Sequence, residues 1–206
     1  MTDYRITSIE ALRKVIVAPK PSIETKVFDH VDHHASEFIG RAPLCFVATY
    51  DAQGNVDVSP KGDAPGFVEV KSPHMLLLPE RKGNRLTYGF RNILETGRVG
   101  LIFMVPGVRE ALRVNGKASL TNDPEILARL AAEGKPALLA TEVAVDECFF
   151  HCGKAFIRSK LWQSDTWATD IEGVIAKQIG SKLALNDTQI KELDAALEAN
   201  YKDELY

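Results

Sequence analysis

The sequence contains no apolar run approaching the roughly 18 residues that a membrane-spanning helix requires. Residues 1–16 carry acids early and have no apolar core of signal length. Cysteine is scarce. Three residues, an odd number, do not make a disulfide framework. With no leader and no disulfide pattern, the expected compartment is the cytoplasm. An excess of positive charge is missing as well: 25 Lys and Arg against 28 Asp and Glu give a net charge of −3. No global basic field is offered to nucleic acid. G-x-S-x-G, H-E-x-x-H, the P-loop and the Rossmann glycine pattern are all absent. What remains is ordinary for a folded soluble chain: 206 residues, 45% hydrophobic, 26% charged, mean hydropathy −0.11. That length buries a core without disulfides or metals and argues against disorder.

One domain is expected over residues 1–206: helices in 1–40, a β-rich body in 41–162, and helices in 163–206. Residues 8–16 read as a short helix capped by Ser8, which two nearby prolines then end. A second helix is expected over 24–39, with Val27, Val31, Ala35 and Phe38 on one face. Strand patterns follow at Leu44–Tyr50, 56–58, 67–70, 75–78, 99–105, 112–120, 140–145 and 148–158. The glycine inside 112–120 suggests a bulge. Among the first six strands only one helix intervenes, over 85–95. That favours an antiparallel barrel over alternating βαβ units. Further helices are expected at 123–132, with Asp123 as cap and Pro124 at its first position, and at 171–183 and 187–198.

Two stretches carry candidate chemistry. In the first, an apolar strand ends at Pro79, and Arg81, Lys82 and Arg85 arrive with Gly83 and Asn84 between them, just before a helix. Free N–H groups and partial positive charge at a helix start, joined by cations, make a phosphate site. A solvated basic turn is the plainer reading. These side chains are expected outside the core, so that removing Arg81 and Lys82 together leaves the fold intact. The second stretch is residues 56–67, where a strand runs into Pro60-Lys61-Gly62-Asp63 and then Pro65-Gly66, a backbone suited to close approach by a flat ligand, with Lys61 between Ser59 and Asp63 at the strand end. A plain surface loop is its alternative.

Other clusters favour structural roles. Cys148, His151 and Cys152 have metal-type ligands at short spacing but no evident fourth. On a strand His151 faces away from the two thiols, so they read as buried structural cysteines and no metal is expected. Asp29, His30, Asp32, His33 and His34 would lie on the polar side of the second helix, a solvated face.

The order LCFVATYD, QGN, DVSPKGD, PGFV, LLLPERKGNRL, RNILE, VGLIFMVPG and LRVNGKASL resembles the pyridoxamine 5′-phosphate oxidase-like superfamily of FMN-binding split barrels. It is most similar to an uncharacterised FMN-dependent branch, over roughly residues 38–162. The resemblance implies an α+β fold, a six-stranded antiparallel split β-barrel with peripheral helices. It implies that Arg81, Lys82, Asn84 and Arg85 hold the FMN phosphate and that Ser59, Pro60 and Lys61 lie along the ring and ribityl chain. Lys61 would there offer positive charge to a reduced flavin. Polar residues of 113–118 would face the cofactor across a homodimer interface, with the apolar runs LLLP and VGLIFMV supporting self-association. The arginine-leucine-histidine segment of the vitamin B6 oxidase itself is missing after Trp162, so the resemblance does not extend to that reaction. Trp162 is expected to stack near the flavin. The implied activity is an FMN-dependent oxidoreductase acting on a small-molecule redox substrate, with neither nucleic acid nor membrane as partner. The alternative is a non-catalytic protein that binds flavin or another phosphorylated cofactor; related barrels also take haem and deazaflavin.

Overall fold

The computed structural model describes residues 4–206; the first three residues of the expected N-terminal region lie outside it. Seven antiparallel strands form one sheet. They are β1 (Leu44–Tyr50), β2 (Val56–Gly62), β3 (Glu69–Ser72), β4 (Met75–Glu80), β5 (Arg98–Met104), β6 (Ala111–Thr121) and β7 (Leu139–His151), in the order β2-β1-β5-β6-β7-β4-β3. The fold is mainly antiparallel sheet with attached helices, as the resemblance implied, with seven strands where six were expected.

Alternation puts one face of this sheet inside. Cys45 and Val47 of β1 stand opposite Phe103 and Leu101 of β5, and these in turn face Leu112 and Val114 of β6. All six are buried, and Leu76, Leu78, Val143 and Val145 join them in the core, with Val31, Ala35 and Ile39 packed from the N-terminal side. β4 reads as an unbroken apolar run because it is covered twice: Leu76 and Leu78 enter the main core, while Leu77 packs outward with Leu130, Ala137 and Ala140. Leu130 is the C-cap of helix α5 (Pro124–Arg129), whose N-cap Asp123 accepts through its side chain from the Glu125 amide at 2.9 Å.

The N-terminal segment departs from expectation. Helix α1 (Ile9–Val15) is capped by Ser8 as read, and α2 (Pro21–Glu24) is a single turn. The helix expected over 24–39 does not form as one piece. Phe28 instead exchanges both backbone hydrogen bonds with Cys148 on the open side of β7 (2.8 and 3.0 Å), and α3 (His33–Arg41) starts only after Asp32. The Asp32 carboxylate accepts from the Ala35 amide at 2.8 Å, which fixes that start. Ladder bonds and a strong cap outweigh the helical spacing of Val27 and Val31. His30 is therefore outside the helix, and the one-turn pairing of His30 with His34 does not exist.

The helix expected over 85–95 is α4 (Tyr88–Thr96). Its buried Asn92 donates to Thr49 Oγ1 at 3.0 Å, tying it to β1. The strand expected over 148–158 ends at His151, because Ala111, its last partner on β6, is the first residue of that strand. With no ladder to join, the backbone closes on itself as α6 (Lys154–Ser159). Two further helices, α7 (Val174–Leu183) and α8 (Asp187–Asp203), pack on each other where Gly180 meets Ile190, and Asn186 and Gln189 form a capping box.

The bulge expected in β6 lies at Asn115/Gly116. A Cβ on Gly116 would stand 2.1 Å from the Ala144 carbonyl oxygen. Gly116→Ala is therefore expected to destabilise the protein by about 1–3 kcal/mol, the usual cost of overpacking against immobile backbone. Urea unfolding checks this, and an unchanged midpoint would show that β6 and β7 separate freely there.

Candidate functional site

The hydrogen-bonded order leaves β2 at one edge of the sheet and short β3 at the other. β3 pairs only with residues 75–77 of β4, so residues 78–80 have no β3 partner. That open stretch and the end of β2 meet through side chains. Lys61 Nζ bonds Glu80 Oε2 at 2.5 Å, and Arg81 Nε donates to Asp63 Oδ2 at 2.7 Å. Ion pairs thus close the split that backbone bonds leave open.

Above this seam lies a cleft of about 520 Å³, in the range of small-molecule sites. Ser59, Pro60, Lys61, Arg81, Lys82, Asn84 and Arg85 all line it. β2 directs Ser59 and Lys61 to the same side as Val47, since Ser59 stands opposite Val47 in the ladder, whereas Pro60 is exposed. Lys61 also lies 5.0 Å from the Phe90 ring centre on α4. The Glu80 carboxylate pairs with its ammonium, so any positive charge that Lys61 presents to the cleft is shared with that pair.

The loop into α4 is held in unusual backbone geometry. Arg85 and Thr87 have φ of 60° and 57°. For a β-branched residue such as Thr87 this region is strained. The strain has a consequence at the helix start. Thr87 occupies the N-cap but makes no side-chain cap bond, so it leaves the leading amides of α4 available to another acceptor. Tyr88, Gly89 and Phe90, which carry those amides, line the cleft. Among the described residues, neither Lys82 nor Arg85 has a carboxylate partner.

Arg81 is not the surface cation the sequence suggested. Its side chain is 16% exposed and its Nη1 is buried with no hydrogen-bond partner. An arginine nitrogen left this way is costly unless a further acceptor arrives. Its partner Asp63, 3% exposed, was not singled out from the sequence as a site residue. The only sequence signal was an acid two residues after Lys61.

A family model described as pyridoxamine 5′-phosphate oxidase matches residues 31–152, more than half of the chain, and spans every strand of the sheet. The chain belongs to this family. No curated protein matches it significantly. Solved structures give distant likenesses. The H111A form of HupZ from Group A Streptococcus is 17% identical, covers 59% of this chain and 99% of its own, and has a TM-score of 0.49. An FMN-binding protein from Syntrophomonas wolfei subsp. wolfei is 13% identical, with coverage of 69% and 95% and a TM-score of 0.44. General Stress Protein 26 from Bacillus anthracis str. Sterne is 12% identical, with coverage of 57% and 93% and a TM-score of 0.42.

Trp162 stands apart from the cleft. Its Nε1 donates to the Val108 carbonyl at 2.8 Å and its ring stacks on Phe156. Any contact with a ligand in the cleft would have to come across a subunit boundary. The Cys148, His151 and Cys152 group is dispersed: Cys148 is buried, while His151 and Cys152 are exposed, Cys152 having left the strand. Burial pushes the Cys148 and Cys45 thiols up to about 12, so neither is a thiolate at neutral pH. Among the described residues no helix is long and apolar enough to cross a membrane, and no group of three or more His, Cys, Asp or Glu could hold a metal.

Burial acts to raise the Asp63 pKa, but the Arg81 guanidinium and the Ala64 amide outweigh it, and the net shift is downward from 3.8. A depressed carboxylate contributes stability above its unfolded pKa and loses it as pH falls through the folded value. Acidification from about pH 5 to about pH 2 should thus lower the urea midpoint more steeply in the wild type than in Asp63→Asn. Equal slopes would mean that Asp63 is not the charged anchor of the seam.

Proposed function

We propose that this member of the pyridoxamine 5′-phosphate oxidase family binds FMN and acts as an oxidoreductase on a small-molecule redox substrate. The observation that carries the reading is the buried Nη1 of Arg81, without a partner among the described residues, beside a cleft whose rim holds two cations with no carboxylate partner among those residues and an uncapped helix start. This donor set suits a phosphate: a dianion accepts from guanidinium, ammonium and backbone N–H together, and helix polarity favours it. Arg81, Lys82, Asn84 and Arg85 would hold the phosphate. Ser59 and Lys61, on the inward side of β2, would line the path of the remainder, with Phe90 and Ile93 as apolar cover. The flavin, when bound, supplies the electron transfer itself. The chain's own part is to orient it and exclude water.

The protein is also proposed to be a homodimer. The outer side of β2, β1 and β5 leaves Val56, Val58 and Ile102 exposed. The LLLP run gives no such support, because its outward Leu77 is already covered by the α5 layer. Trp162, stacked away from the cleft in its own subunit, would reach flavin only in such a dimer. Sedimentation at low micromolar concentration checks the assembly, and a monomer that retains FMN would count against a shared site.

Titration of the apoprotein with FMN and riboflavin tests the phosphate anchor, and equal affinities would remove it. Arg81→Ala is a poor probe, since it strands a buried carboxylate at a cost of about 3–5 kcal/mol. Lys82→Ala with Arg85→Ala is cleaner. Each lost hydrogen bond to a charged group is worth roughly 1.5–3 kcal/mol, so FMN affinity should fall at least about tenfold while riboflavin binding changes little. Reduction of the bound flavin by NADH or NADPH, followed by reoxidation by an acceptor, separates an enzyme from a carrier of flavin.

A further inference from the structure

Asp63 lies at the end of β2, and Tyr206, which follows α8, is 143 positions away in sequence, yet the Tyr206 hydroxyl donates to Asp63 Oδ1 at 2.8 Å. The Ala64 amide donates to the same oxygen at 2.7 Å, and Arg81 Nε takes the other oxygen. The backbone oxygen of Tyr206 accepts from Lys135 Nζ at 3.0 Å, so the residue is held at two points. Three donors therefore fix a carboxylate that is almost wholly buried.

The arrangement decides how Arg81 is used. An arginine and a carboxylate left to themselves tend to pair through two parallel bonds, which would engage Nε and a terminal nitrogen together. Here the second oxygen already serves the tyrosine and an amide, and the pair is made through Nε alone. Nη2, the terminal nitrogen on the Nε–H side that a second parallel bond would use, is thereby spared; Nη1, on the far side, is buried with no hydrogen-bond partner among the described residues. We propose that Tyr206 is a positioning residue for the phosphate anchor: by holding Asp63 Oδ1 it restricts Arg81 to one bond and keeps the end of its guanidinium for an anionic ligand group. This rests on the reading of the cleft as a phosphate-bearing flavin site. It adds to that site a residue outside the stretch that matches the family, which ends at residue 152.

The test uses the full chain and its Tyr206→Phe variant, each titrated as apoprotein with FMN and with riboflavin. The variant should lose FMN affinity about five- to tenfold and keep riboflavin affinity, so the preference for the phosphorylated form shrinks, with the urea midpoint falling only as the loss of one of the three donors to Asp63 requires. An unchanged preference in the variant overturns the role of Tyr206 while leaving the phosphate site standing. Equal losses for both ligands also overturn it, since they mark Tyr206 as merely structural. A wild type that does not distinguish the two ligands overturns the phosphate reading itself, and this proposal with it.

Discussion

The buried pairing of Asp63 with Arg81 is the constraint on which the rest of the site depends. A carboxylate taken out of water must be matched by donors, or it is a large penalty on the fold. This one lies where the sheet fails to close by backbone bonds, between the end of β2 and the end of β4 that β3 does not reach. Together with Lys61 and Glu80 it joins two edges that would otherwise stand open to solvent or to another strand. A split closed by charged side chains differs from one closed by a ladder. It leaves room above the seam, and it lines that room with polar atoms whose remaining capacity is available to a ligand.

The same seam explains why the cations around the cleft are not equivalent. Lys61 and Arg81 are committed to carboxylates, one to Glu80 and the other to Asp63. Lys82 and Arg85 stand outside these pairs, on a loop whose backbone is forced into the left-handed region at Arg85 and Thr87. The strain has a local use. Thr87 in an ordinary extended N-cap conformation would turn its hydroxyl onto the leading amides of α4. Held at positive φ, it leaves them open toward the cleft. The buried bond from Asn92 to Thr49 anchors α4 against β1 while its start stays uncapped.

Much of the fold was legible because the signals are local. Strand-length apolar runs marked β1 and β5, two-residue alternation marked β6, Ser8 and Asp123 marked helix starts, and a glycine marked the bulge that Gly116 forms. The elements that misled were those with competing local and distant demands. Helical spacing at Val27 and Val31 lost to the hydrogen bonds that β7 offers Phe28 at Cys148. Strand-like residues after His151 became helical because β6 supplies no further partner. The basic cluster and the Ser-Pro-Lys-Gly-Asp stretch were visible as candidates, and the cleft gathers both. What was not visible was which of their charges are spent.

By itself, then, the sequence determined the antiparallel α+β class, the positions of most strands and the two segments that border the cleft, because these follow from periodicity, caps and turn residues within a few positions. The tertiary structure alone decided that Asp63 meets Arg81 and Lys61 meets Glu80, 18 and 19 positions apart, and that Tyr206 reaches Asp63 from the far helix. No spacing rule encodes such partners. They arise from strand order and from the curl that brings β2 to the free end of β4, and a side chain's remaining hydrogen-bonding capacity is defined only once those neighbours are in place.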